Sequence, residues 1–365
     1  ATVTMFNDWL IYKLTGVLST EPSNGSTTGI FDLKDRTWDT TIAEKCGLRT
    51  DIFPKVYESS TLVAHVSEKA ANETGLAEGI PVIAGGGDAQ LGCIGVGVVS
   101  PNQAAVFGGS FWQYEFNTNN VKTDDQCRVR VNCHAIPNLW QYEAIAFYPG
   151  LIMRWYRDAF CQLEKQKALE TGKDAYEIMN EEAIKIPAGS YGMACTFSDV
   201  MNYICWKHAA PTFTNFQINA EKYNRYTFYR AIMENAAMIT KGNMDLVSDL
   251  TGVKPTEIIF ASGASKSSLW CQIVADVLGL PVHVPKVKEA TALGAAILAG
   301  IGVGIYENVE SAVNKIVKLE TTYYPNQENH EVYTKLYENW REIYSAQLSL
   351  SDRGLTKHMW NAPGV

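Results

Sequence analysis

Three short stretches of this chain bring together residue types that could act on a hydroxyl and a phosphate. In Pro81-Val82-Ile83-Ala84-Gly85-Gly86-Gly87-Asp88-Ala89-Gln90, an apolar run breaks into three glycines and a lone acid. A strand that ends in glycines carries the next side chain to its C-terminal edge, where open α/β sheets hold their ligands. A carboxylate at that edge can accept a proton from a substrate hydroxyl, the role of the base in phosphoryl transfer. The plainer alternative is an acid that forms a turn or caps a helix.

Gly108-Gly109-Ser110 joins two strand-like runs, Gln103 to Phe107 and Phe111 to Phe116. Successive backbone N–H groups in such a turn can cradle phosphate oxygens; equally, two glycines can serve the φ > 0 requirement of a primed hairpin turn. Ser262-Gly263-Ala264-Ser265 lies between a strand (Glu257 to Ala261) and a helix whose buried face is Leu269, Ile273 and Val277. A small turn at a helix N-terminus admits an anion or a polar edge, or is an ordinary βα turn with Ser265 as N-cap. No G-x-x-x-x-G-K-[ST] loop is present.

Other elements must position these stretches. Phe6, Trp9, Leu10 and Leu14 share a helical spacing that stops at Gly16. Residues 21–29 read as a loop whose polar side chains could line a pocket, and short helices are expected over 40–47 and 66–74. Leu91 to Val99 is apolar with Gly92, Gly95 and Gly97, so its backbone can lie close against a neighbour. Helices follow from Pro149 and over about 174–184, then an aromatic, irregular stretch from Ser198 to Ala210. Next come a long helix with Phe228, Ile232, Ala236 and Ile239 on one side, the strand–turn–helix–strand unit ending at Val284, and a last helix over roughly 329–347. Alternating elements of this kind predict an α/β fold.

A chain of 365 residues, 46% hydrophobic, is long enough for two domains, and its net charge of −8 argues against a sequence-independent nucleic-acid surface. Eight cysteines without a C-x-x-C pair fit reduced thiols in a cytosol, and six scattered histidines show no metal-ligand spacing. No secretory signal is visible. The uncharged run Ala290 to Tyr306, with Gly300 and Gly304 as a G-x-x-x-G pair, is short for a membrane span and reads better as a tightly packed buried helix with its exit turn.

Together these motifs resemble the FGGY family of carbohydrate kinases. The resemblance rests on Gly85-Gly86-Gly87-Asp88-Ala89-Gln90-Leu91-Gly92, Phe107-Gly108-Gly109-Ser110-Phe111-Trp112 and Lys288-Glu289-Ala290-Thr291-Ala292-Leu293-Gly294. It rests also on the stretch Met153 to Phe160, on Phe197-Ser198-Asp199 and on His208-Ala209-Ala210-Pro211. It implies the two-domain actin/hexokinase-like (ribonuclease H-like) fold, with residues 1–99 as the later part of the first, sugar-binding domain and 100–365 as the nucleotide-binding domain with a helical tail. By the same resemblance Asp88 is the catalytic base, and Gly108, Gly109, Ser110, Ser262, Gly263, Ala264, Ser265 and Gly294 bind ATP, with Mg2+ as the accompanying cation. Asn24, Gln90 and Trp112 are candidates for polar or stacking contacts with the substrate, each serving a structural role equally well.

The implied reaction is transfer of the ATP γ-phosphoryl group to the terminal hydroxyl of a small sugar-like molecule, 4,5-dihydroxypentane-2,3-dione, in the cytoplasm, with the phosphocarrier protein HPr as an implied partner. A pentulose-type kinase of the family, or a non-catalytic nucleotide-binding fragment, are the alternatives. Two features depart from the family pattern. The adenosine turn has fewer glycines than usual, and the D-x-G-T-type phosphate loop with which members begin does not occur in these residues. The first domain is therefore expected to be incomplete, and the 365 residues by themselves to bind ATP weakly and not to turn over.

Overall fold

The computed structural model describes residues 1–146, 148–200, 202 and 207–361, the last by its backbone alone. Helix α1 (Phe6–Thr15) is stopped by Gly16 in the left-handed region, whose N–H returns to Tyr12 O. The stretch 21–29, expected as loop, instead contains helix α2 (Pro22–Gly25) and a 3-10 turn, Ser26–Thr28. Glu21 is the reason. Its carboxylate accepts the N–H groups of Ser23 (2.6 Å) and Asn24 (2.8 Å), and Pro22 occupies the first helical position, where its missing N–H costs nothing.

Strands β1 (Leu62–His65) and β2 (Pro81–Ile83) pair antiparallel. The run that leads to Asp88 thus lies in a two-stranded ribbon rather than in a parallel sheet, and Asp88 opens helix α3 (Asp88–Val96). The expected hairpin follows as β3 (Ala104–Gly108) and β4 (Trp112–Thr118), extended by β5 (Arg130–Cys133) and β6 (Trp140–Ala146), which sequence patterning had not shown. With β7 (Ile258–Ala261), β8 (Val282–Pro285) and β9 (Leu319–Tyr323), these make a seven-stranded sheet of order β9-β8-β7-β3-β4-β6-β5. Strands β3, β7 and β8 run parallel. The turns that leave β3 and β7 therefore emerge side by side at one edge.

Among the further helices, those that frame the sheet and the site are α4 (Pro149–Phe160), α5 (Arg225–Thr251), α6 (Ser268–Leu278), α7 (Ala290–Gly302) and α8 (Gln327–Asp352). One face of the sheet, through Trp112, Tyr114, Phe116 and Tyr142, packs on Ile232, Ala236 and Ile239 of α5 in the main core. On the opposite face Cys93 and Val96 of α3 meet Ala105 and Phe107. In the aromatic stretch from Ser198 to Ala210, Met201 and residues 203–206 lie outside the described residues.

The Ala290 to Tyr306 run is only half-buried. Helix α7 covers Gly294, Ile297, Leu298 and Gly300, while Ala292, Ala295, Ala296 and Ala299 are exposed. Among the described residues no helix is long and apolar enough to cross a membrane. The glycines serve a crossing with α3: a Cβ on Gly294 would lie 1.9 Å from Leu91 O, and one on Gly95 would lie 1.9 Å from Ala290 O. Gly294, expected among the ATP-binding residues, has a packing role here: it lets two backbones touch. Gly294→Ala should lower stability by about 1–3 kcal/mol, the usual cost of overpacking, read from the denaturant midpoint; an unchanged midpoint rejects the crossing as a tight constraint.

Candidate active site

Asp88 is the first residue of α3, its side chain exposed and its Oδ1 accepting the N–H of Ala89 at 2.9 Å. An acid in the first turn complements the positive end of a helix. The glycines before it have separate reasons. A Cβ on Gly86 would press on Ala135 (2.9 Å), and one on Gly87 would meet the side-chain oxygen of Gln90 at 2.3 Å. Gly87 N–H donates to Ser23 Oγ (2.7 Å), and Ser23 Oγ donates to Glu21 Oε2 (2.7 Å). Helix α2 and the Asp88 turn are thus held by one buried chain of hydrogen bonds.

Within that chain Asn24 spends its amide on Glu21 Oε1 (2.6 Å), and Gln90 is buried against Gly87. Both lie beside the Asp88 turn, as a substrate-side role requires, while also supporting it. Burial pushes the Glu21 carboxyl above its usual range although Ser23 and Asn24 donate to it. From the other side, Thr291 Oγ1 of α7 donates to Asp88 O at 3.1 Å.

The hairpin turn lies close by through α3. One turn beyond Asp88, Gly92 faces Phe107, where a Cβ would come within 3.0 Å of the ring, and Phe107 immediately precedes Gly108. A Cβ on Gly108 would lie 2.7 Å from the Cβ of Ala264, so the Gly108–Ser110 turn and the Ser262–Ser265 turn touch. Neither Gly108 nor Gly109 has positive φ, which removes the primed-turn explanation for them. Gly108 allows close packing, Gly109 has nothing nearer its missing Cβ than Phe111 O at 3.5 Å, and Ser110 is exposed. The N-terminus of α4 abuts this turn, with Gly150 against Gly109 O.

After β7 the backbone makes a 3-10 turn, Gly263–Lys266, and the cap of α6 is Ser267, whose Oγ accepts the Trp270 N–H (3.2 Å), not Ser265 as expected. Ser265 Oγ instead donates to Ser262 O at 2.8 Å. Ser262 stands at φ 76°, ψ −164°, a region that belongs to glycine and costs a side-chain-bearing residue about 1–3 kcal/mol. Beside the α6 N-terminus opens a cavity of about 500 Å³ lined by Ser268, Leu269, Gln272, Ile186 and Arg230, within the range of small-ligand sites.

Trp112 is not part of this opening. It is fully buried, stacked on Trp270 (5.0 Å between rings), and its indole N–H donates to Thr240 at 2.7 Å, so the stacking contact expected with substrate is corrected to a core contact.

Residues 1–95 match the FGGY family of carbohydrate kinases, N-terminal domain, and residues 117–303 match its C-terminal domain. The chain belongs to the FGGY family of carbohydrate kinases. It is 50% identical over 363 residues to the autoinducer-2 kinase of Photorhabdus laumondii, covering 100% of this chain and 68% of that protein. To the autoinducer-2 kinase of Yersinia enterocolitica it is 48% identical over 364 residues, covering 100% and 69%. Its fold is similar to that of xylulose kinase from Rhodospirillum rubrum (TM-score 0.80, 24% identity, 95% of this chain and 68% of that one). Similarity extends to Plasmodium falciparum glycerol kinase with ADP (TM-score 0.79, 20% identity, 94% and 67%). The two-domain sugar-kinase fold is thus the one expected, with the chain spanning about two thirds of these relatives.

This FGGY kinase chain also has two acids beneath the Asp88 helix that motif reading missed. Glu115 and Glu143 are cross-strand partners on β4 and β6, on the sheet face that looks toward α3. That face is polar: Gln141 Nε2 donates to Cys93 Sγ of α3 (3.1 Å) and to Asn117 Oδ1 (3.2 Å). Glu143 accepts from Asn132 (3.2 Å) and Arg130 (3.5 Å), whereas both oxygens of Glu115 are buried without a partner. Burial, then Glu143 and Asp88, push the Glu115 carboxyl well above its usual range, with Arg130 opposing. A signal was available. Trp-Gln-Tyr-Glu occurs twice, at 112–115 and 140–143, and its alternation places each acid opposite the aromatic face.

Because its folded-state pKa lies above its unfolded one, protonated Glu115 stabilises the fold at low pH and this contribution is lost as pH rises. Glu115→Gln should therefore gain on the parent protein by up to about 1.4 kcal/mol per pH unit above the ordinary glutamate range, measured by unfolding at several pH values; a pH-independent difference rejects a protonated Glu115. Ser262→Gly should raise stability by about 1 kcal/mol through release of strain. A lower melting temperature would reject strain at Ser262.

Proposed function

We propose that this chain forms the catalytic base and nucleotide side of an ATP-dependent kinase that phosphorylates the terminal hydroxyl of 4,5-dihydroxypentane-2,3-dione, the signal autoinducer-2. The observation that carries the substrate assignment is the identity of 48–50% to autoinducer-2 kinases along the whole of this chain. Under this reading residues 1–99 belong to the sugar-side domain and 100–365 to the nucleotide side. The compartment is the cytoplasm, and the phosphocarrier protein HPr is the protein partner.

Asp88 supplies the base. Its carboxylate is exposed, fixed at a helix start by the Glu21–Ser23–Gly87 chain and by Thr291, and so can take the hydroxyl proton without reorganising. Asn24 and Gln90 hold the substrate side of the same turn. Gly108, Gly109 and Ser110 hold phosphate oxygens with their backbone, and Ser262 to Ser265 hold the nucleoside. ATP with Mg2+ supplies the γ-phosphoryl group and neutralises its charge.

Asp88→Asn, made in a longer form of the protein that also carries the first phosphate loop, should lower kcat by about 10²- to 10⁴-fold with little change in nucleotide affinity. In the same assay the pentanedione should be phosphorylated in preference to xylulose, ribulose and glycerol. Near-normal turnover by the variant rejects Asp88 as base; preference for a pentulose rejects the substrate.

A further inference from the structure

Helices α5 and α8 do not close on each other completely. Between them and the segment around Met193 lies a cavity of about 350 Å³, large enough for a small ligand. Its walls are Met193, Met238, Leu336 and Trp340, and among the described residues no Lys, Arg or His lines it. It is separate from the cavity beside α6: Arg230 lines that one, Glu234 lines this one, and the buried ion pair between them (2.8 Å) forms the partition.

The polar groups of this cavity are not equally engaged. Glu234 is saturated, accepting from Arg230, from the Tyr333 hydroxyl (2.8 Å), from Gly189 N–H (3.0 Å) and from the Ser190 hydroxyl (2.7 Å). Asn235, one residue on and 4% exposed, uses its oxygen to accept the Phe197 N–H at 3.3 Å, but its side-chain nitrogen is buried with no acceptor. A buried donor left unsatisfied costs about 1–3 kcal/mol, and an acceptor arriving in the cavity would recover part of that. A charged acceptor is disfavoured: no cation lines the space, and Glu342 stands exposed at its edge. We propose that the cavity between α5 and α8 is a second small-molecule site, taking a neutral ligand with an apolar body and a carbonyl-type oxygen that accepts from Asn235.

Acetophenone and ethylbenzene differ in that oxygen and little else, which makes them suitable probes. In the full chain labelled with ¹³C at methionine methyls, both should shift the signals of Met193 and Met238 and leave that of Met153 in place. Acetophenone should bind about three- to tenfold more tightly, the range of one hydrogen bond. Asn235→Leu should abolish this preference while ethylbenzene still binds. Equal affinity of the two probes in the parent chain, or millimolar probe that leaves Met193 and Met238 unmoved, overturns the proposal. The comparison in the parent chain needs no variant, so it decides the matter even if Asn235→Leu does not fold.

Discussion

The crossing of α3 and α7 is the constraint on which the site depends. Two helices about 200 residues apart in sequence touch backbone to backbone, because Gly95 and Gly294 each leave room for a carbonyl oxygen of the other helix. With a side chain at either position the axes would have to separate, and Asp88, at the head of α3, would move with them. Thr291 completes the arrangement by donating to Asp88 O from the first turn of α7. A motif some 200 residues further along the chain therefore acts on Asp88 by fixing where its helix lies.

That geometry explains which parts of the site were legible in the sequence. The hairpin of β3 and β4 and the unit β7–turn–α6–β8 could be read because strand and helix periods differ and small residues mark the turns. The packing role of Gly294 and the core position of Trp112 could not be read, since a glycine that admits a ligand and one that admits a backbone look alike in a motif, as do a ring that stacks on a ligand and one that stacks in a core. Only the fold reveals that Trp112 stacks on Trp270 in the core. Residues 21–29 were read as loop from composition, yet a single acid with proline after it was enough to close a helical turn. The two Trp-Gln-Tyr-Glu segments were legible, but each carries a buried acid inside a strand, against the usual pattern of apolar interior positions.

The nucleotide side shows a different economy. Gly108 and Gly109 are not needed for a left-handed backbone, so their smallness serves contact: Gly108 with Ala264, and Gly109 with α4 and whatever occupies the open side. At the neighbouring turn the reverse holds. Ser262 takes a backbone shape that suits glycine and keeps a side chain there, exposed, at the head of the turn after β7. Strain of this kind persists only where the surroundings impose it, and β7 before it and the 3-10 turn after it do so.

The buried acids pose an electrostatic question whose answer bears on catalysis. Under the proposed reading a polyanion is held next to Asp88 in a chain of net charge −8, and two more carboxylates beneath that position oppose it. Their surroundings resolve the conflict. Glu143 has Arg130 and Asn132 as partners, while Glu115 has none and is held toward its neutral form by burial and by the charge of Glu143. Burial acts on both acids in the same direction, raising Glu143 as well as Glu115, so the sheet face beneath α3 resists the full charge that its composition would give it. Asp88, by contrast, stands exposed at the head of the helix, where solvent and the helix N-terminus favour a carboxylate.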